Sequence, residues 1–161
     1  MDIEVKIRGL MMDPVQNMPI VVLKDVNSDT VLPIWVGVFE ANAIALEIEK
    51  TETPRPMTHD LLRDLVHGFD AIVDKVVITQ LKDDTFYAAI WMQRDNEPIV
   101  IDARPSDALA LALRADCPIY VSEDVLRISK LANAGVENIT AEELRKWLEN
   151  LNDEDLGRYK M

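Results

Sequence analysis

Apolar and polar residues alternate strictly at the start of the chain. Ile3, Val5 and Ile7 are separated by Glu4, Lys6 and Arg8, the period-two pattern of a strand buried on one face. Residues 19–26 (PIVVLKDV) and 30–38 (TVLPIWVGV) are rich in β-formers and are separated by Asn27, Ser28 and Asp29, which predicts a hairpin-like return. Pro33 cannot donate to a ladder, so it predicts an edge or a bulge in the second of these strands. Residues 75–82 (KVVITQLK) and 85–93 (TFYAAIWMQ) flank Asp83 and Asp84, and 98–103 (PIVIDA) follows the polar turn from Arg94 to Glu97. Links this short require antiparallel pairing, so the stretch reads as a meander.

Helical spacing takes over elsewhere. Ala41, Ile44, Ala45 and Ile48 form one stripe, with Glu40, Glu47 and Glu49 off it. Thr58 is the expected cap of a helix whose buried face is Leu61, Leu62, Leu65, Val66 and Phe69, with Gly68 near its end. Ser106 is the expected cap of a third helix running through Arg114. The pattern predicts an α+β fold: a mixed, largely antiparallel sheet with helices packed on it. Beyond residue 121 the character changes. Ser122, Glu123 and Asp124 read as a helix start and Gly135 as a stop. Thr140 and Glu143 make a capping box ahead of the stripe Leu144, Trp147, Leu148 and Leu151. The expected division is a main domain over 1–130 and a short helical C-terminal appendage over 131–161.

Composition narrows the function. With 48% hydrophobic residues, the 161-residue chain can build one real core. It carries 29 acidic and 17 basic residues, a formal charge of −12, so its long-range field repels phosphodiesters. Aromatic residues are 6% and the basic ones are not clustered, which argues against a passive single-strand binder with a stacking platform. A metal-dependent nuclease is less affected, because divalent ions reverse the local sign of a carboxylate cluster. Cys117 is the only cysteine, so there is no intrachain disulfide and no cysteine zinc site. Charges at Asp2, Glu4, Lys6 and Arg8 interrupt the N-terminus, leaving neither a signal-peptide core nor a membrane span, and a cytoplasmic protein is expected. No GxGxxG or GxSxG pattern occurs, so dinucleotide binding and α/β-hydrolase chemistry have no foothold.

Chemistry concentrates at two corners. Arg55-Pro56-Met57-Thr58-His59-Asp60 and Arg104-Pro105-Ser106-Asp107 share Arg-Pro, a hydroxyl and an acid, which suggests two helix starts built by one device. The structural reading is that Arg55 and Arg104 pair with carboxylates such as Asp102, Glu40 or Asp60 and lock the strand-to-helix corners. The functional reading is that these groups line a cleft. Phosphodiester hydrolysis needs carboxylates for divalent ions, a base, and a cation on the phosphate, and Glu40, Asp102, Asp107, His59, Asp60, Arg55 and Arg104 supply each type. His59 and His67 lie eight residues apart, too far along one helix to share a metal.

Four blocks in order, LPIWVGVFEANAIALEIE, PRPMTHDLLRDLV, DDTFYAAIWM and IDARPSDALALALRADCPIYVSEDVL, together resemble the bacterial and plant bifunctional nuclease domain family over about residues 1 to 130. The resemblance implies a compact α+β domain and nuclease activity on RNA and DNA of low sequence specificity. The family's polar positions fall on Glu40, Arg55, Thr58, His59, Asp60, Asp102, Arg104, Ser106 and Asp107. From it follow the expected roles: Glu40, Asp102 and Asp107 on Mg²⁺ or Mn²⁺; His59, Asp60 and Asp107 in catalysis; and Arg55 and Arg104 on the phosphate. Nucleic acid is then a weakly held, salt-sensitive substrate, and apolar sheet edges make a homo-oligomer expected. The competing expectation is a non-catalytic interaction or regulatory domain whose Arg-Pro corners are structural ion pairs and whose function lies in an oligomeric surface.

Overall fold

The computed structural model describes the backbone of residues 1–133 and the side chains of residues 1–129. Seven strands, β1 (Asp2–Met12), β2 (Pro19–Asp25), β3 (Val31–Trp35), β4 (Ile72–Lys82), β5 (Thr85–Arg94), β6 (Glu97–Ala103) and β7 (Ile119–Ser122), form one sheet among the described residues, in the order β3-β2-β1-β7-β4-β5-β6. The helices are α1 (Val38–Ile48), α2 (Thr58–Gly68), α3 (Pro105–Ala115) and α4 (Glu123–Asn133). The α+β expectation holds: every strand pair is antiparallel except β4 with β7.

Turn chemistry fixes the two hairpins of the β4–β6 meander. Asp83 and Asp84, and likewise Asp95 and Asn96, all have φ between 52° and 65°. Both central residues of each turn are therefore left-handed, the twist that suits a two-residue hairpin and that Asp and Asn tolerate. Pro33 lies on β3, which is an edge strand, as its missing N–H requires. β7 was not expected as a strand. Its four residues are too few to show a period, yet it sits at the centre of the sheet, joining the β1–β3 and β4–β6 halves.

α1 and α3 pack on each other and share one core with the sheet. Ala41, Ile44 and Ala45 of α1 meet Ala108 to Ala112 of α3 over Val5, Val21, Val76, Ile78, Ile90, Ile119 and Val121. Leu46 is buried in place of Ile48, which is exposed. Tyr120 points away from Ile119 and Val121 to the other face, where the Lys75 ammonium stands 5.0 Å from the Trp91 ring centre and 5.6 Å from that of Tyr120.

Several local expectations are corrected. The apolar residues of α2 do not form a buried face: Leu61, Leu62, Leu65 and Phe69 are exposed, and only Val66 packs on the core. The core is already filled by α1 and α3, so α2 lies mainly against α3 with a different side inward. Thr58 is not the cap of α2. The helix is capped at Met57, whose N–H donates to Asp60 Oδ2 at 2.9 Å. Ser106 does not cap α3 either, since Arg104 is the N-cap, Pro105 opens the helix and Ser106 is buried in its first turn. The two corners are thus different devices, because Arg55-Pro56 precedes the cap of α2 whereas Arg104 is itself the cap of α3. α4 begins at Glu123 as expected and is described as far as Asn133; the Gly135 stop, the Thr140 capping box and the stripe from Leu144 to Leu151 lie outside the described residues. No helix among the described residues is long and apolar enough to cross a membrane.

Candidate active site

The start of α3 places Arg104 and Asp107 one turn apart, and their side chains close on each other: Arg104 Nε donates to Asp107 Oδ2 at 2.8 Å. Arg104 Nη2 donates to Glu40 Oε1 at 3.0 Å, joining α3 to the first turn of α1. Asp107 Oδ1 lies 2.9 Å from His59 Nε2, near the start of α2. Four of the expected residues, Glu40, Arg104, Asp107 and His59, therefore form one continuous polar chain across three helix starts. Its exposure is graded: the Arg104 side chain is 65% exposed, Asp107 28%, Glu40 19% and His59 8%.

The electrostatics follow from these contacts. Asp107 and Glu40 together raise the affinity of the Arg104 guanidinium for its proton. Burial alone would raise the Asp107 carboxyl, but hydrogen bonds from Arg104 and His59 outweigh it and hold Asp107 below the ordinary carboxylate value. Gly37 contributes by having no side chain, since a Cβ there would collide with the Glu40 carboxylate folded back over the N-cap of α1.

Behind this chain lies a second pair that sequence reasoning assigned differently. Asp60, an expected catalytic residue, accepts from Arg114 Nε at 2.7 Å through Oδ1 and from Met57 N–H through Oδ2. Arg114, 2% exposed, also donates to the carbonyls of Ala110 and Ala43 at 2.9 Å each, tying α1, α2 and α3 together. Burial pushes the Asp60 carboxyl up, while the Met57 N–H and the guanidinium pull it below the ordinary value. Arg114 was missed as a site residue. The signal was its place in ALALALRA, because a charge closing an apolar helix must find a partner inside.

Two expected residues stand outside the cluster. Asp102 is exposed on β6, opposite Ala89, and Arg55 is exposed in the segment between α1 and α2, its carbonyl accepting from Thr53 Oγ1 at 2.8 Å. Neither forms an ion pair among the described residues. Cys117 is half-buried and its thiol is pushed up to about 11, mainly by burial, which is not the state of a nucleophile.

A divalent ion needs several oxygens turned to a common point. Here Glu40 Oε1 and Asp107 Oδ2 both accept from one guanidinium, and Asp107 Oδ1 is held by His59. Among the described residues no three His, Cys, Asp or Glu side chains gather as ion ligands, and Asp102 is not among the groups tied to Arg104. As arranged, the donor set does not fit Mg²⁺ or Mn²⁺, since its carboxylates converge on the Arg104 guanidinium.

The fold and this corner define a class: an α+β domain that presents an arginine, held by two carboxylates, where helix starts converge. The comparisons specify it further. Residues 21–134 match the family model for the bifunctional nuclease domain, and the chain belongs to that family. It is 39% identical over 161 aligned residues to the uncharacterized protein Rv1829 of Mycobacterium tuberculosis H37Rv, covering 94% of this chain and 96% of the relative. It is 27% identical over 109 residues to bifunctional nuclease 1 of Oryza sativa subsp. japonica, covering 66% of this chain and 33% of the rice protein. Bifunctional nuclease 2 of the same plant is 27% identical over 107 residues, 64% of this chain and 33% of that protein.

Proposed function

We propose that the chain hydrolyses phosphodiester bonds of RNA or DNA at the Glu40–Arg104–Asp107–His59 corner. One observation carries the reading: Arg104 is largely exposed, yet oriented by two carboxylates. Two of its five N–H groups are engaged, which leaves a preset donor surface for a phosphate or its transition state. Glu40 and Asp107 keep the guanidinium in one orientation, and His59 positions Asp107 from behind. The rice relatives named as nucleases align with this chain over a third of their own length, which supports the chemistry without assigning their substrates to it. The net charge of −12 makes binding weak and salt-sensitive, and the expected cleavage is of low sequence specificity.

The test is cleavage of labelled RNA and DNA by the full chain and by Arg104→Ala at equal folded fraction, each with Mg²⁺, Mn²⁺ or EDTA. The expected result is cleavage that falls about a hundred-fold or more in the variant, the loss typical of removing a transition-state charge donor. The metal arms decide whether an ion is needed. Absent cleavage, or equal cleavage by both proteins, overturns the reading. A second reading, an interaction domain working through a self-association surface, is favoured by the outward-facing apolar side of α2.

A further inference from the structure

We propose that the apolar stripe of α2 is the contact between two copies of this chain, packed helix against helix about a two-fold axis. Leu61, Leu65 and Phe69 recur every four residues and Leu62 lies seven before Phe69, so the four share one side of the helix. They are 51%, 48%, 64% and 38% exposed respectively, and Ile72, three residues beyond Phe69, is 64% exposed. The neighbouring side of α2, beyond Leu62, holds His59 and Val66 against the body of the domain. The sequence therefore builds an amphipathic helix and the fold turns its apolar side to water.

The occupant follows from area and charge. The five side chains leave roughly 500 Å² of apolar surface in water, as much as the largest patch on a typical monomer. Two such patches face to face bury about 1,000 Å² of apolar surface, and their rims bring the total into the range of a stable interface, about 1,200–2,000 Å². A strongly acidic chain resists meeting its own copy unless the contact is locally neutral. The five side chains of the stripe carry no charge themselves, and Asp64 on its flank is paired with Arg63 at 3.4 Å within α2. The β6 edge, one of the two sheet edges, is a poorer candidate. Its exposed Val100 and Ile101 are flanked by Glu97 and Asp102, charges that discourage strand pairing.

The inference sharpens the interaction-domain reading and is independent of the nuclease reading, since it concerns residues outside the Arg104 corner and is read without a substrate. Sedimentation equilibrium of the full chain, Leu65→Lys and Val100→Lys tests it, with circular dichroism confirming the fold. The wild type and Val100→Lys are expected to be dimers, while the Leu65→Lys dissociation constant rises roughly thirty-fold or more, as for a central interface residue. If Leu65→Lys does not fold, Phe69→Ser takes its place with the same expectation. A monomeric wild type, in which the stripe is covered by the chain's own C-terminal segment or by another protein, overturns the proposal. So does a dimer that survives the α2 substitution, or one that Val100→Lys dissociates.

Discussion

Removal of the Arg114 side chain is expected to cost more stability than any change at the exposed corner. The guanidinium is buried and donates to Asp60, to Ala43 O and to Ala110 O. Arg114→Ala leaves the Asp60 carboxylate without its counter-charge and strips the Ala43 carbonyl of a donor. Breaking a buried ion pair from one side costs about 3–5 kcal/mol, a large part of the roughly 5–15 kcal/mol that holds a domain folded. Asp60→Ala loses the same pair and also the acceptor for Met57 N–H, so its cost is comparable. Because both substitutions remove one shared interaction, the double variant should cost less than the sum, with a coupling of about 1–3 kcal/mol. Urea unfolding followed by far-UV circular dichroism gives all four corners of the cycle. If Arg114→Ala is too unstable to measure, Arg114→Lys serves in its place: a lysine keeps the charge near Asp60 but cannot fork to a second helix, so an intermediate loss is expected. A loss below about 1 kcal/mol for Arg114→Ala, or strict additivity with Asp60→Ala, would refute the reasoning that this pair ties the three helices.

Two further outcomes follow from the same contacts. Asp60 and Asp107 are held below the ordinary carboxylate value of 3.8 in the folded chain, so the unfolded chain takes up those protons first as pH falls. Their stabilisation is present in full above about pH 5 and is lost as pH drops through 3.8 towards the lowered values. The stability gap between wild type and Asp60→Asn should therefore be constant from pH 7 to about 5 and shrink below about 4 in urea titrations; a gap unchanged at about pH 3 would contradict it. Gly37→Ala places a Cβ against the Glu40 carboxylate and should displace it from Arg104. Glu40→Gln is then expected to cost about 0.5–1 kcal/mol in the native background and nothing measurable in the Gly37→Ala background, and equal costs in both would show that Gly37 has no such role.

Most elements of the fold, and four members of the candidate site, were legible from local pattern. Alternation located the long strands, Asp-Asp and a polar turn located the meander hairpins, Pro33 located an edge, and IDARPSD identified a helix start carrying Arg104 and Asp107. These features depend on residues close in sequence, where backbone sterics and side-chain spacing act directly. Other features depend on which surfaces meet. The amphipathic pattern of α2 showed that one side of the helix seeks burial, but only the placement of α1 and α3 in the core left that side facing water. Arg55 and Arg104 were indistinguishable as Arg-Pro corners until the fold put Glu40 and Asp107 on one of them and, among the described residues, no carboxylate on the other. His59 and Asp60 are neighbours in sequence, yet one meets Asp107 and the other Arg114, two turns apart on α3. The sequence by itself determined every strand but the short central β7, the turns, the acidic composition and the residue types available for phosphate chemistry. Tertiary structure decided which charges are paired, which arginine is presented, and which apolar face remains uncovered. The contacts that carry the site and its support join residues 48 to 71 positions apart, and no local spacing specifies such partners.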